Sequence, residues 1–544
     1  MSRILSILPA QIFRMDRSLL AALFLLAAAG SVLLPLSVLG LSWMEVDKEI
    51  WAHLLDTVLS SLMVNTLVLL LGVGVIVSLL GVSLAWLTAA CDFPGRKFFD
   101  WALMLPLAMP TYVIAFVMVG LLDYSGPLQS FLRDIFGSSF VLPEIRSTAG
   151  LVLVLSLVLY PYVYMLARSA FLSQGRGLLD AARVLGLGPW MGFYKVALPM
   201  ARPAIAGGVA LALMETLADF GAVSVFSYDT FTTAIYKTWY GFFNIHAAGQ
   251  LASLLLLFVV VALWLERRSR GEARYHQGGQ KYRIQLTGWQ AWIATLFSIL
   301  VLSCAFIVPV LKLLLWVKQN HLGDLDARYI SLLGHSLGLA AVAGCVTVSI
   351  AFFLALIKRG YSWPLVSPLV QWATLGYALP GSILAVGIML SFAFIDNGLS
   401  KLYTLMGIES GYYLVGGVLA LILAYVVRFM AVAFGAIDSG FEQIRPSVTE
   451  AARSLGASWQ QLLGRVYLPM LTPGLLTAIL LVFVDVMKEM PATLLLRPFG
   501  WDTLAVRVYE MTSEGEWERA ALPGITLVLA GLIPVLLLVR RSAR

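Results

Sequence analysis

Apolar residues run along this chain in stretches of twenty or more, and the polar segments between them are short. A bilayer core of about 30 Å needs roughly 20 apolar residues at 1.5 Å rise each. That length predicts six spans in the first half, at about 18–41, 58–90, 101–122, 149–169, 200–226 and 245–265. It predicts six more in the second, at about 289–317, 330–357, 365–394, 413–434, 470–490 and 521–539. The segment 266–288, which contains ERRSRGEARYHQGGQKYR, is polar and basic and reads as a linker between halves 1–265 and 289–544. An even number of spans returns the second half to the membrane in the orientation of the first, so the repeats are expected to be parallel.

Composition sharpens the fold class without changing it. Hydrophobic residues make up 60% of the 544 and charged residues 12%. A soluble protein of this size cannot bury that much apolar surface, so the chain is expected to be an all-α polytopic membrane protein of about 12 helices. The net charge of +7 is a topology signal: with the N-terminus inside, 25 of the 37 lysines and arginines fall on the cytoplasmic side. Both termini are then cytoplasmic, and nothing suggests a nucleic-acid partner. The first apolar run continues to Leu41, too long for a secretory h-region, so an uncleaved span is expected. Cys91, Cys304 and Cys345 lack partner spacing and read as small apolar fillers. The five histidines are scattered, so no tightly bound metal, resident cofactor or catalytic constellation is expected.

The most specific signal is a polar segment that occurs twice. DAARVLGLGPWMGFYKVALPMARP at 180–203 returns as EAARSLGASWQQLLGRVYLPMLTP at 450–473, 270 residues later. Ten of the 24 aligned positions are identical, among them Ala181/Ala451, Ala182/Ala452, Gly186/Gly456 and Pro199/Pro469. Each copy predicts a short alanine-rich helix ended by Gly186 or Gly456, then a second helix capped by Gly188 or Ser458, then a span. A polar surface kept in duplicate within an apolar chain is a docking surface. The same offset pairs Asn65 with His335 and Pro110 with Pro380; near Tyr160/Tyr425 it slips to 265.

Acids inside the fifth and eleventh spans form a second candidate site. Glu215 aligns with Asp485 and Asp219 with Glu489, and the i, i+4 spacing predicts each pair on one helix face near the outer end. A carboxylate at mid-bilayer costs roughly 2.5–3.5 kcal/mol. The four are therefore expected to line an aqueous pathway that favours a cation, to pair with a base such as Lys488, or to sit at the outer headgroups.

The duplicated segment resembles the EAA loop of importer permeases in the ABC transporter family. That resemblance implies coupling loops at about 177–198 and 447–468. Asp180, Ala181, Ala182 and Gly186, with Glu450, Ala451, Ala452 and Gly456, would dock on a dimer of cytoplasmic ATP-binding subunits. Asp180 departs from the pattern, which has Glu there. The chain holds no Gly-Lys dipeptide, hence no Walker A loop of that type, so ATP hydrolysis is expected in a separate polypeptide. The runs ETLADFG, KEMPATLLLRPFGWDTLAVRVYE and ERAALPG are similar to the fused iron(III) importer permeases of this family. They imply ferric iron as substrate, delivered by a periplasmic iron-binding protein across a bacterial inner membrane. Fused thiamin permeases share the plan, and sulfate and molybdate permeases share the loop. An ion-coupled secondary transporter would explain the acids but not the loops.

Overall fold

The computed structural model describes residues 8–174, 184, 186, 188–270, 283–319, 325–406 and 414–542. Among them the long helices of the first repeat are α1 (Leu8–Leu41), α2 (Leu59–Ala90), α3 (Thr111–Leu122), α4 (Thr148–Ser173), α5 (Leu198–Ala218) and α6 (Ile245–Arg270). Those of the second are α7 (Trp289–Gln319), α8 (Ala327–Gly360), α9 (Gly381–Met406), α10 (Val418–Gln443), α11 (Leu468–Lys488) and α12 (Ala521–Ser542). Among the described residues eleven stretches are long and apolar enough to cross a membrane, and Ala521–Leu537 is a shorter apolar helix. The chain is an all-α polytopic membrane protein. Its apolar outer residues, such as Leu71 and Leu79 on α2, are those a lipid phase would cover. Most of the basic linker lies outside the described residues.

The third and ninth spans depart from expectation. The stretches at 101–122 and 365–394 are each interrupted. A 3-10 turn at Leu105–Ala108 or Leu375–Ala378 leads into extended Met109 or Leu379, and only then does α3 or α9 begin. The cause is Pro110 and Pro380: the proline ring disfavours helical backbone at the preceding residue, and Met109 and Leu379 sit at ψ 124° and 127°. Two other prolines act differently. Pro199 and Pro469 lie just past π turns at Phe193–Ala197 and Leu463–Tyr467, where widening absorbs the missing N–H without ending the helix.

The compact units do not follow the sequence halves. One unit comprises Met1–Glu45 with Gly334–Asp502; the other comprises Val46–Leu333 with Thr503–Arg544. In the first unit α1 packs on Val366–Ala373 and α9, so the opening helix of the first repeat joins the core of the second. Gly387 permits this, because a Cβ there would lie 2.9 Å from the Pro35 carbonyl oxygen. In the second unit α4 packs against α2 and α5, and α7 and α12 join them. Gly81 and Gly208 bring the backbones together, since an added Cβ would meet Val163 at 2.6 Å on one side and 2.7 Å on the other. Close approach over small residues is how helices gain dispersion contact where lipid removes the hydrophobic drive. Cys91, at the end of α2, is buried and its thiol is pushed up to about 12 by desolvation, as suits a filler.

Candidate functional site: docking helices and broken-helix junctions

The second copy of the duplicated segment is fully described. Pro446–Ser454 is helical and buries none of its residues. It ends in a Schellman turn: the Ala457 amide donates to Ala452 O at 3.0 Å and the Gly456 amide to Arg453 O at 3.0 Å. Gly456 has φ +78°, with nothing within 4 Å of a would-be Cβ, so glycine is required by the backbone and not by space. Ser458 caps the next turn, Trp459–Leu462, in a reciprocal box with Gln461. The Trp459 and Tyr467 rings meet edge-on at 6.3 Å, and Tyr467 Oη lies 3.1 Å from Thr449 Oγ1, which fixes the angle between the two helices.

Glu450, Ala451 and Gly456 are exposed and Ala452 is partly so; Leu455 presents 87% of its surface. A cleft of about 380 Å³ opens beside them, lined by Arg359, Pro446, Glu450, Arg453 and Trp459 among others. Arg359 itself is committed, donating to the carbonyls of Phe441 at 2.8 Å and Ile444 at 2.6 Å at the end of α10. In the first copy Asp180, Ala181 and Ala182 lie outside the described residues. Gly186 takes φ +77°, within a degree of Gly456, and is equally open.

The acids are distributed differently from the i, i+4 expectation. α5 ends at Ala218 and α11 at Lys488, so Asp219 and Glu489 stand beyond the helices in extended backbone. Both are buried. Asp219 Oδ1 accepts from the amides of Ala222 at 2.9 Å and Val223 at 3.2 Å, and Glu489 Oε1 from Ala492 at 2.8 Å. Each carboxylate thus caps the short helix that follows, Gly221–Val225 or Pro491–Leu496. Sequence spacing could not show this, because the break falls between the two members of each pair. Glu215 and Asp485 remain within α5 and α11 and are partly exposed.

The breaks meet each other. In the first repeat the Thr111 hydroxyl, at the start of α3, hydrogen-bonds Asp219. In the second, the position of Thr111 is held by Gly381, and a Cβ there would fall 2.5 Å from Glu489 Oε1 and 2.7 Å from Arg428 Nη1. The space a side chain would fill admits the Arg428 guanidinium, whose Nε lies 3.5 Å from Glu489 Oε2, with the side chains 13% and 4% exposed. At the offset of 265 that joins Tyr160 to Tyr425, Arg428 replaces Val163. Thr111–Asp219 and Gly381–Arg428–Glu489 are therefore two solutions of one junction, the second carrying a buried ion pair. Sequence reasoning missed Arg428; its signal was a charge in an apolar span opposite a valine in the other repeat.

Two repeats of broken helices, with carboxylates at the breaks and an exposed helical hairpin in the second, define a two-repeat polytopic membrane protein. The chain belongs to the family described as binding-protein-dependent transport system inner membrane component, which matches residues 78–270 and again 347–544. It is 27% identical over 491 residues to the Fe(3+)-transport system permease protein FbpB 2 of Haemophilus influenzae, covering 88% of this chain and 90% of that one. It is 30% identical over 228 residues to the Molybdenum transport system permease protein ModB of Escherichia coli, covering 40% of this chain and 96% of ModB. The chain is thus an inner-membrane permease of a system that works with a binding protein, and both repeats carry the family's match.

Proposed function

We propose that this permease passes ferric iron, released by a periplasmic binding protein, into the cytoplasm of a bacterium. On this reading a separate ATPase dimer docks on the two loops around Asp180–Gly186 and Glu450–Gly456, and both termini are cytoplasmic. The observation that carries the substrate is similarity along 88% of the chain to a protein named for Fe(3+) transport. Docking is supported by the Pro446–Ser454 helix, which buries nothing of its own and ends on the exposed Leu455.

Glu215 and Asp485, partly exposed within α5 and α11, are the acids we assign to the cation pathway, whereas Asp219 and Glu489 are buried and cap short helices. Their role is to attract and release, not to store, because conduction requires weak, reversible contact. A second reading, an oxyanion permease, is favoured by the similarity to ModB and by the buried arginine at the second junction. The test is uptake by vesicles holding the permease, its ATPase and its binding protein, with iron, molybdate and thiamin offered separately. Glu215→Gln with Asp485→Asn should lower iron uptake and leave basal ATP hydrolysis intact. Iron uptake unchanged in that variant would reject the pathway role. Uptake of molybdate in place of iron would establish the second reading.

A further inference from the structure

Between the helices Pro491–Leu496 and Leu504–Ser513 the chain makes a tight turn at 498–501, closed by the Trp501 amide donating to Pro498 O at 3.1 Å. Gly500 holds φ +79° at its third position, as a type II turn requires. The turn is braced from several sides. Arg497 pairs with Asp502, the Trp501 ring stacks on His335 at 4.9 Å and 17°, and His335 Nδ1 lies 3.3 Å from Asp502 O. At its tip Phe499 is 107% exposed, with no part of the ring resting on the protein.

The first repeat has the same base without the tip. Asn65, the counterpart of His335, donates to Asp229 O at 3.0 Å, and Asp229-Thr230 corresponds to Asp502-Thr503. The two loops differ by three residues, since the offset here is 273 and not 270. The second repeat therefore carries an insertion that lifts a phenylalanine off the surface; in the first, Tyr228, the counterpart of Trp501 at this offset, is half-buried, with its hydroxyl 3.4 Å from Asn65 O.

The position of this turn along the molecule is set by α8. His335 lies near its start, and Arg359 and Gly360 near its end line the cleft beside Glu450. Twenty-four helical residues separate His335 from Arg359, about 36 Å at 1.5 Å each, which exceeds the roughly 30 Å of a bilayer core. The turn is thus at the face opposite the docking helix. Hydrocarbon does not cover it, because irregular backbone with unpaired amides is not tolerated in contact with lipid tails. A phenylalanine presented on a braced backbone turn is instead suited to bury in a partner, since the main chain beneath it is already ordered.

We propose that Phe499 is an anchor for the periplasmic binding protein, inserting into an apolar recess of that protein when it docks on the outer face. The inference rests on the permease reading above and adds the residue that makes the contact. Its test uses the full chain in lipid nanodiscs and the binding protein purified from the same bacterium. Phe499→Ala, which removes no internal contact, should weaken binding about thirty-fold, or about 2 kcal/mol. Phe499→Trp should retain most of the affinity, and basal ATP hydrolysis should not change in either. A photo-cross-linking phenylalanine analogue at 499 should form an adduct with the binding protein. Equal affinity of Phe499→Ala and the original chain, or an adduct with lipid alone, would overturn the anchor. Failure of the unsubstituted chain to bind the loaded protein would instead strike the permease reading itself.

Discussion

Removing Arg428 tests the junction most sharply, because the loss can be worked from its surroundings. Glu489 is 4% exposed in its side chain and Arg428 is 13% exposed, so neither charge can turn to bulk water when its partner goes. Breaking a buried pair from one side leaves an uncompensated charge and typically costs about 3–5 kcal/mol. The Ala492 amide still bonds Glu489, which places Arg428→Met near the lower end, at about 3 kcal/mol. For a compact unit of roughly 200 residues, each kcal/mol lowers the midpoint by about 2–4 °C, so a fall of roughly 6–12 °C is expected. Gly381→Thr with Arg428→Val and Glu489→Asp installs the arrangement of the first repeat and should recover most of it. The readout is monodisperse protein remaining after heating in detergent, for the single, the triple and the original chain. A triple variant no more stable than Arg428→Met would refute the claim that the junctions are interchangeable solutions of one geometry.

Further outcomes follow from the same contacts. Gly456→Val forces a β-branched residue to φ +78°, well above the roughly 1–2 kcal/mol that left-handed backbone costs an ordinary residue; transport and ATPase stimulation should fall while membrane insertion, followed by quantitative blotting, persists. Glu450→Ala should impair ATPase stimulation more than Asp180→Ala, because the longer carboxylate reaches further; equal, negligible losses would show that neither acid serves docking. Asp219→Asn removes the charge that accepts from Ala222 and Val223 and should destabilise by about 1–2 kcal/mol in the heating assay; a midpoint equal to that of the original chain would refute the capping role. Gly208→Leu drives a side chain into the α4 backbone at Val163 and should abolish monodisperse expression.

Much of the architecture was legible because lipid makes sequence pattern nearly obligatory: a run of twenty apolar residues has few fates, and a 270-residue offset exposes the repeat. The two helical breaks were half legible. Pro110 and Pro380 stood in register, yet their consequence, extended Met109 and Leu379, required knowing that the chain would turn there and not kink through. Asp219 and Glu489 were visible as acids but misplaced on a helix face, since capping depends on a chain break that no periodicity marks. The exchange of terminal helices between units was invisible: α1 beyond Ser18 is almost wholly apolar, and apolar residues do not state which core they join. Gly456 was read correctly as a helix terminator from its place after an alanine-rich segment, because left-handed backbone leaves glycine as the cheap choice. Arg428 was passed over, being judged by membrane orientation and not by its counterpart Val163.

The central claim, that this chain is the permease through which a binding protein and an ATPase move ferric iron, is met most directly by one reconstitution. Proteoliposomes containing the full chain and its ATPase, energised with ATP on the ATPase side, receive iron-loaded binding protein on the other. The account predicts iron accumulating inside, dependent on ATP and on the loaded binding protein, with ATP hydrolysis rising above its basal rate and molybdate and thiamin left outside. Hydrolysis indifferent to the loaded protein, or accumulation of a control solute in place of iron, would contradict it.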